Sequence, residues 1–142
     1  MAEIHHSITI SAPADVVEAL VSTPEGFRQW WAEDVETEPD GTVSLGFFNR
    51  TTVYRLRLDE KSALRASWHC ETGQEWQHTD LIFHLHPQVS GMLLDFLHAN
   101  WQDPTPYFVS CNTTWGALMF RLKNAAEGRT AGPLFRKDSM AY

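Results

Sequence analysis

The feature that most constrains this chain is a switch in hydrophobic period. From about residue 43 onward, apolar residues recur at every second position. Val43, Leu45 and Phe47 form one such run, followed by Tyr54, Leu56 and Leu58 alternating with Arg55, Arg57 and Asp59. Leu64, Ala66, Trp68 and Cys70 come next, then Thr79, Leu81, Phe83 and Leu85, then Met92, Leu94, Phe96 and His98. Period two means strands with one buried face, and the short gaps holding Gly73, Gly91 or the charged stretch 59–62 read as hairpin connections. The rule then changes. Phe108, Cys111, Trp115, Leu118, Leu122 and Ala125 repeat at spacings of three and four, one helical stripe about 20 residues long. A sheet with one apolar face needs a cover, and this helix is the one predicted element large enough to supply it. The expected class is α+β.

The N-terminal third completes the order. Ile4, His6, Ile8 and Ile10 alternate with polar residues as a first strand. Pro13 suits the first turn of a short helix bearing Val16, Val17 and Leu20. Thr23-Pro24-Glu25 reads as a capped start for a second short helix reaching Trp31. Thr105-Pro106 repeats that signature before the long helix, and Gly128 supplies its stop. The expected organisation is one domain over 1–128, with an antiparallel sheet of about six to seven strands, and a C-terminal tail over 129–142 without clear period. A chain of 142 residues buries enough surface to fold without metal or disulfide.

Composition narrows the partners. Eighteen acids against eleven bases give a formal charge of −7. Glu33, Asp34, Glu36, Glu38 and Asp40 crowd one segment, a field that repels phosphates, so neither nucleic acid nor an anionic membrane is an expected partner. No apolar run approaches the ~20 residues of a membrane span. The N-terminus lacks a basic region followed by an apolar stretch, so the expected location is the cytoplasm, with Cys70 and Cys111 as free thiols. Phosphate loops, dinucleotide fingerprints and metalloprotease or esterase motifs are absent, and no cofactor is expected. Aromatic content is high, with six Trp, eight Phe and three Tyr. Broad flat side chains in such number suit either a filled core or a cavity wall.

The order of elements, with its particular residues, resembles the helix-grip superfamily of START and birch-pollen-allergen-like domains (SRPBCC), and within it the branch related to activators of a heat-shock-protein ATPase. The likeness rests on Ile8 to Pro13, on Thr23-Pro24-Glu25-Gly26-Phe27 leading to Trp30-Trp31, on Trp76 with Thr79 and Phe83-His84-Leu85, on Gly91, Phe96, His98 and Trp101, and on Cys111-Asn112 with Trp115 and Leu118. It spans about residues 4 to 128. It implies a curved sheet wrapped around the C-terminal helix with a cavity between them. It implies no single activity, since that superfamily includes carriers, receptors, cyclases and hydrolases.

The candidate cavity wall is therefore Trp68, Phe83, Phe96 and His98 from the sheet and Phe108, Cys111, Trp115 and Met119 from the helix. Trp30, Trp76 and Trp101 stand near element ends, where a mouth is expected. A small, largely apolar ligand is the leading reading. An enzyme of cyclase or hydrolase type with His98 as its polar centre is a second, although His98 is equally a core histidine bonded to the sheet or to Asn112. A protein-interaction module using the acids at 33–40 is a third, and a homodimer is compatible with all of them. His84 and His86 share a strand face at metal-ligand spacing but lack a third ligand, so no metal site is expected. Cys111 reads as an inert buried thiol.

Overall fold

The computed structural model describes residues 1–129 and 132–137; the ends of the expected tail, 130–131 and 138–142, lie outside the described residues. The chain runs β1 (Ala2–Ile10), α1 (Ala14–Ser22), α2 (Pro24–Trp30), β2 (Val35–Thr37), β3 (Val43–Phe47), β4 (Thr52–Ser62), β5 (Arg65–Cys70), β6 (Asp80–Gln88), β7 (Gly91–Trp101) and α3 (Pro106–Ala126). The seven strands form one antiparallel sheet in the order β1-β7-β6-β5-β4-β3-β2. From β2 to β7 this is a meander. β1 closes it by pairing with β7, with Ile4 opposite His98 and Ile10 opposite Met92. Among the described residues no helix is long and apolar enough to cross a membrane.

The period-two reading holds in β5, β6 and most of β7, whereas β3 is buried at all five positions and Leu58 and Leu64, expected on the inner face, are exposed. Ala66, Trp68 and Cys70 are buried while Arg65, Ser67 and His69 are partly exposed, and Leu81, Phe83 and Leu85 pair with His98, Phe96 and Leu94 on the same inner face. The helix stripe of Cys111, Trp115, Leu118, Met119, Leu122 and Ala126 lies buried against them. Both predicted threonine caps are made. Thr23 Oγ1 accepts from the Gly26 amide at 2.9 Å and Thr105 Oγ1 from the Phe108 amide at 3.2 Å. β2 is an addition, because its three residues fall in the acidic run, which has no apolar alternation. The first helix begins one residue after Pro13, which occupies the cap position and offers no side-chain bond.

The C-terminal end of α1 is closed in an unusual way. A helix leaves its last carbonyls without intrahelical partners. Here the Thr23 hydroxyl donates to Ala19 O at 2.7 Å, the Trp30 indole to Leu20 O at 2.9 Å and the Trp68 indole to Val21 O at 2.8 Å. Two tryptophans thus satisfy buried helix carbonyls while their rings fill the core.

Beyond α3 the chain turns back. Arg121 Nη1 donates to Gly132 O at 3.1 Å. Leu134 N–H donates to Trp30 O at 3.1 Å and Phe135 N–H to Trp31 O at 3.0 Å, while Glu33 N–H donates to Phe135 O at 2.8 Å. The segment 132–137 is therefore a strap that satisfies the last carbonyls of α2, much as the indoles do for α1.

Candidate functional site

Most of the interior between sheet and α3 is packed. Trp30, Trp68, Phe83, Phe96, His98, Trp101 and Met119 are all buried, and the aromatic ones among them pack on neighbouring rings. Trp30 faces Phe83 at 6.2 Å, Phe83 faces Phe96 at 5.1 Å, and Phe96 faces Trp115 at 4.3 Å between centroids. Trp101 packs edge-on against the half-buried Phe108 at 5.2 Å. These separations lie in or just below the ~4.5–7 Å range of favourable aromatic pairs, as in a packed core.

A hollow remains at one end, between the first half of α3, β3–β4 and the strap. Its volume is about 100 Å³. Of the candidate residues, Trp76, Cys111 and Trp115 line it. The rest of the wall comes from Trp31, Phe47, Phe48, Thr52 and Tyr54, from Tyr107, Ser110, Thr114 and Leu118 on α3, and from Phe135 of the strap. Several of these had a signal: Phe47 and Tyr54 are inward positions of period-two runs, and Leu118 belongs to the helix stripe. Phe135 lies in a segment with no period and was not legible.

The wall is uncharged. Tyr54 stacks on Trp76 at 3.9 Å, and its hydroxyl bonds that of Tyr107 across the β4–α3 gap. Burial, followed by the neighbouring Tyr107, holds the Tyr54 phenol well above its ordinary range. Burial likewise raises the Cys111 thiol, which the nearby Trp76 and Tyr107 side chains only partly offset. Both groups stay protonated near neutral pH.

His98 stands behind this wall with both ring nitrogens committed. The Trp115 indole N–H can only donate, and it reaches His98 Nδ1 at 3.1 Å. Nε2 therefore carries the proton and donates to Thr79 Oγ1 at 2.9 Å, and the Thr79 hydroxyl in turn donates a hydrogen bond to Trp76 O at 2.5 Å. Burial pushes the imidazole down to about 3. Both ring nitrogens are thus occupied by protein partners, and His98 links β7 to α3 and to the Thr79 hydroxyl. Asn112 is exposed on α3, and its backbone carbonyl bonds His6 Nε2 at 3.2 Å.

The remaining constellations are ion-pair networks. Among the described residues one trio, Asp59, His69 and Asp80, brings three metal-ligand atoms within 4.8 Å of one another. Each already has a partner: His69 Nδ1 meets Asp80 Oδ1 at 2.9 Å, Asn100 Nδ2 donates to Asp80 Oδ2 at 2.6 Å, and Arg57 contacts Asp59 at 3.2 Å. His84 and His86 sit 4.2 Å apart on the outer face, where His86 pairs with Asp95 at 2.9 Å. The acids at 33–40 have local partners, with Asp34 and Glu38 half-buried and Glu33, Glu36 and Asp40 exposed. Asp34 meets Arg50 at 2.5 Å, Glu38 accepts from Ser44 Oγ at 2.7 Å, Asp40 accepts from Thr42 Oγ1 at 2.6 Å, and Glu33 Oε1 accepts from the Lys137 amide at 2.7 Å. The Thr42 bonds hold Asp40 below the usual carboxylate range.

No family model matches the chain, and no curated protein does. Solved structures do. The Aha1 dimer from Colwellia psychrerythraea superposes with a TM-score of 0.77 at 23% identity, over 89% of this chain and 97% of that one. An AHSA1-like protein from Rhizobium etli gives 0.66 at 24%, over 93% and 86%. DynU16, from the dynemicin biosynthetic locus, gives 0.72 at 14%, over 92% of this chain and 49% of that one. The chain shares with these structures its fold, a curved antiparallel sheet gripping a long C-terminal helix.

Proposed function

We propose that this protein binds a small, flat, uncharged apolar molecule in the hollow between α3 and β3–β4. The observation that carries the reading is the character of that hollow: an aromatic wall of Trp31, Trp76, Trp115, Phe47 and Tyr54 whose titratable members, Tyr54 and Cys111, are held in their neutral forms. An ionised ligand would lose its hydration there without gaining a counter-charge. An apolar one gains about 25 cal/mol per Å² of surface buried, before the costs of association. The polar groups on the rim, Thr52, Ser110 and Thr114, orient a ligand without charging the site.

Intrinsic fluorescence tests this directly, because three of the six indoles line the hollow. A panel of neutral one- and two-ring aromatic compounds is titrated against the protein and against Thr114→Trp, which fills the hollow from its rim. The expected result is quenching and a raised melting temperature in the native chain, both lost in the filled variant. A panel in which no compound shifts either signal, or shifts both equally in the two proteins, overturns the reading.

A further inference from the structure

Phe135 divides two spaces. On its inner side lies the hollow of about 100 Å³, and on its outer side a cleft of about 240 Å³ between the β3–β4 turn and the strap, with Phe47, Phe48 and Phe135 common to both walls. The hollow alone is smaller than the ~150 Å³ that accommodates benzene. Ligand sites begin at about 300 Å³, a size that neither space has and that the two reach only when joined. We propose that the strap 132–137 is the gate of the hollow, with Phe135 as its plug, and that a flat two-ring ligand binds by displacing that ring. The inference rests on the small-molecule reading given above.

The strap is built to be both specific and releasable. Its register is set by backbone bonds from Leu134 and Phe135 to the carbonyls of Trp30 and Trp31, and by the Glu33 amide bonding Phe135 O. A fourth bond runs from the Lys137 amide to Glu33 Oε1 at 2.7 Å. The Phe135 ring stands edge-on to Phe47 at 4.9 Å. Yet Leu134 and Phe135 are only half-buried, and Arg136 and Lys137 are exposed. Segments with little fully buried apolar surface open at lower free energy than the core. The carbonyls of Trp30 and Trp31 end a helix, so water can replace the strap amides there once it lifts. At the other end Arg121 holds Gly132 O, and Gly132 has φ +76°, which lets the chain turn at that point. When the gate is mostly closed, affinity falls by the fraction of time it is open, and loosening it restores that affinity.

The test uses 2-naphthol as the probe, calorimetry for affinity and amide hydrogen exchange for the strap. Three proteins are compared: the native chain, Phe135→Ala, which removes the plug, and Glu33→Ala, which removes the Lys137 anchor and leaves the hollow wall intact. The expected results are binding about tenfold tighter in Phe135→Ala and severalfold tighter in Glu33→Ala. In the native chain, exchange at the Glu33, Leu134 and Phe135 amides should speed up at least tenfold on saturation. Equal affinity in all three proteins, with those amides still protected and with shifts confined to Ser110–Leu118, overturns the gate and assigns the opening of the hollow to α3 instead. Binding to none of the three overturns both.

Discussion

Trp115 donates its indole N–H to His98 Nδ1 at 3.1 Å, and this one bond fixes the tautomer of a histidine with no exposure to solvent. It ties the middle of α3 to β7, with Thr79 and the Trp76 carbonyl continuing the chain on the far side of the ring. Two substitutions separate its parts. Trp115→Phe keeps most of the packing and strands Nδ1, at an expected cost of about 1–3 kcal/mol for a buried unmet acceptor. Trp115→Ala also deletes the ring contacts with Phe96, Trp31 and Trp76, at an expected cost of about 3–5 kcal/mol. Urea unfolding of both variants gives the difference.

The same histidine makes stability depend on pH. Burial holds its folded-state value at about 3, against 6.5 for a histidine exposed in the unfolded chain. Between those limits the unfolded chain binds a proton that the folded chain refuses. Stability from this group is therefore fully present above about pH 6.5 and is lost as pH falls toward 3, at up to about 1.4 kcal/mol per pH unit. His98→Gln is expected to be less stable at pH 7, yet to show a shallower loss between pH 6.5 and 4. Denaturant midpoints across that range check both statements.

The fold was legible because its causes are periodic. Trp68, Phe83 and Phe96 could be assigned to one face by counting twos, and Cys111, Trp115 and Leu118 to one stripe by counting threes and fours. Counting cannot tell whether a face meets empty space or another ring. Trp30 and Trp68 looked like cavity wall, but their indoles are spent on the carbonyls of Leu20 and Val21, a demand created by where α1 ends in space. The hollow lies instead where the stripe of α3 passes the short strand β3, and its plug, Phe135, follows Gly132-Pro133 in a segment whose position is set by carbonyls of α2. Neither the carbonyls nor the strap leaves a mark in the spacing of apolar residues.

Both thiols are expected to be inert in the folded protein. Burial pushes Cys70 up to about 12 and raises Cys111 as well, so the reactive thiolate is scarce at pH 8. Titration with a chromogenic disulfide reagent should label neither cysteine in native buffer and both in denaturant. Fast labelling of Cys111 alone would mean that the hollow opens often enough to admit the reagent, and Phe135→Ala is the variant expected to accelerate it.

Two helical glycines should respond in opposite ways to the same substitution. Alanine is intrinsically the better helix former by about 1 kcal/mol. In α3, a Cβ on Gly116 would meet only His6 Cε1 at 3.6 Å, an ordinary contact, so Gly116→Ala is expected to stabilise the chain by up to that amount. In α2, a Cβ on Gly26 would run into the backbone of α1, at Ala19 O and Leu20 Cα, neither of which is a flexible end that can turn aside. That close approach is also what lets the Trp30 indole reach Leu20 O. Gly26→Ala is therefore expected to push the two helices apart and to destabilise by about 1–3 kcal/mol, the usual cost of overpacking. Urea midpoints of the two variants measured side by side decide the matter, since propensity alone would move both in the same direction.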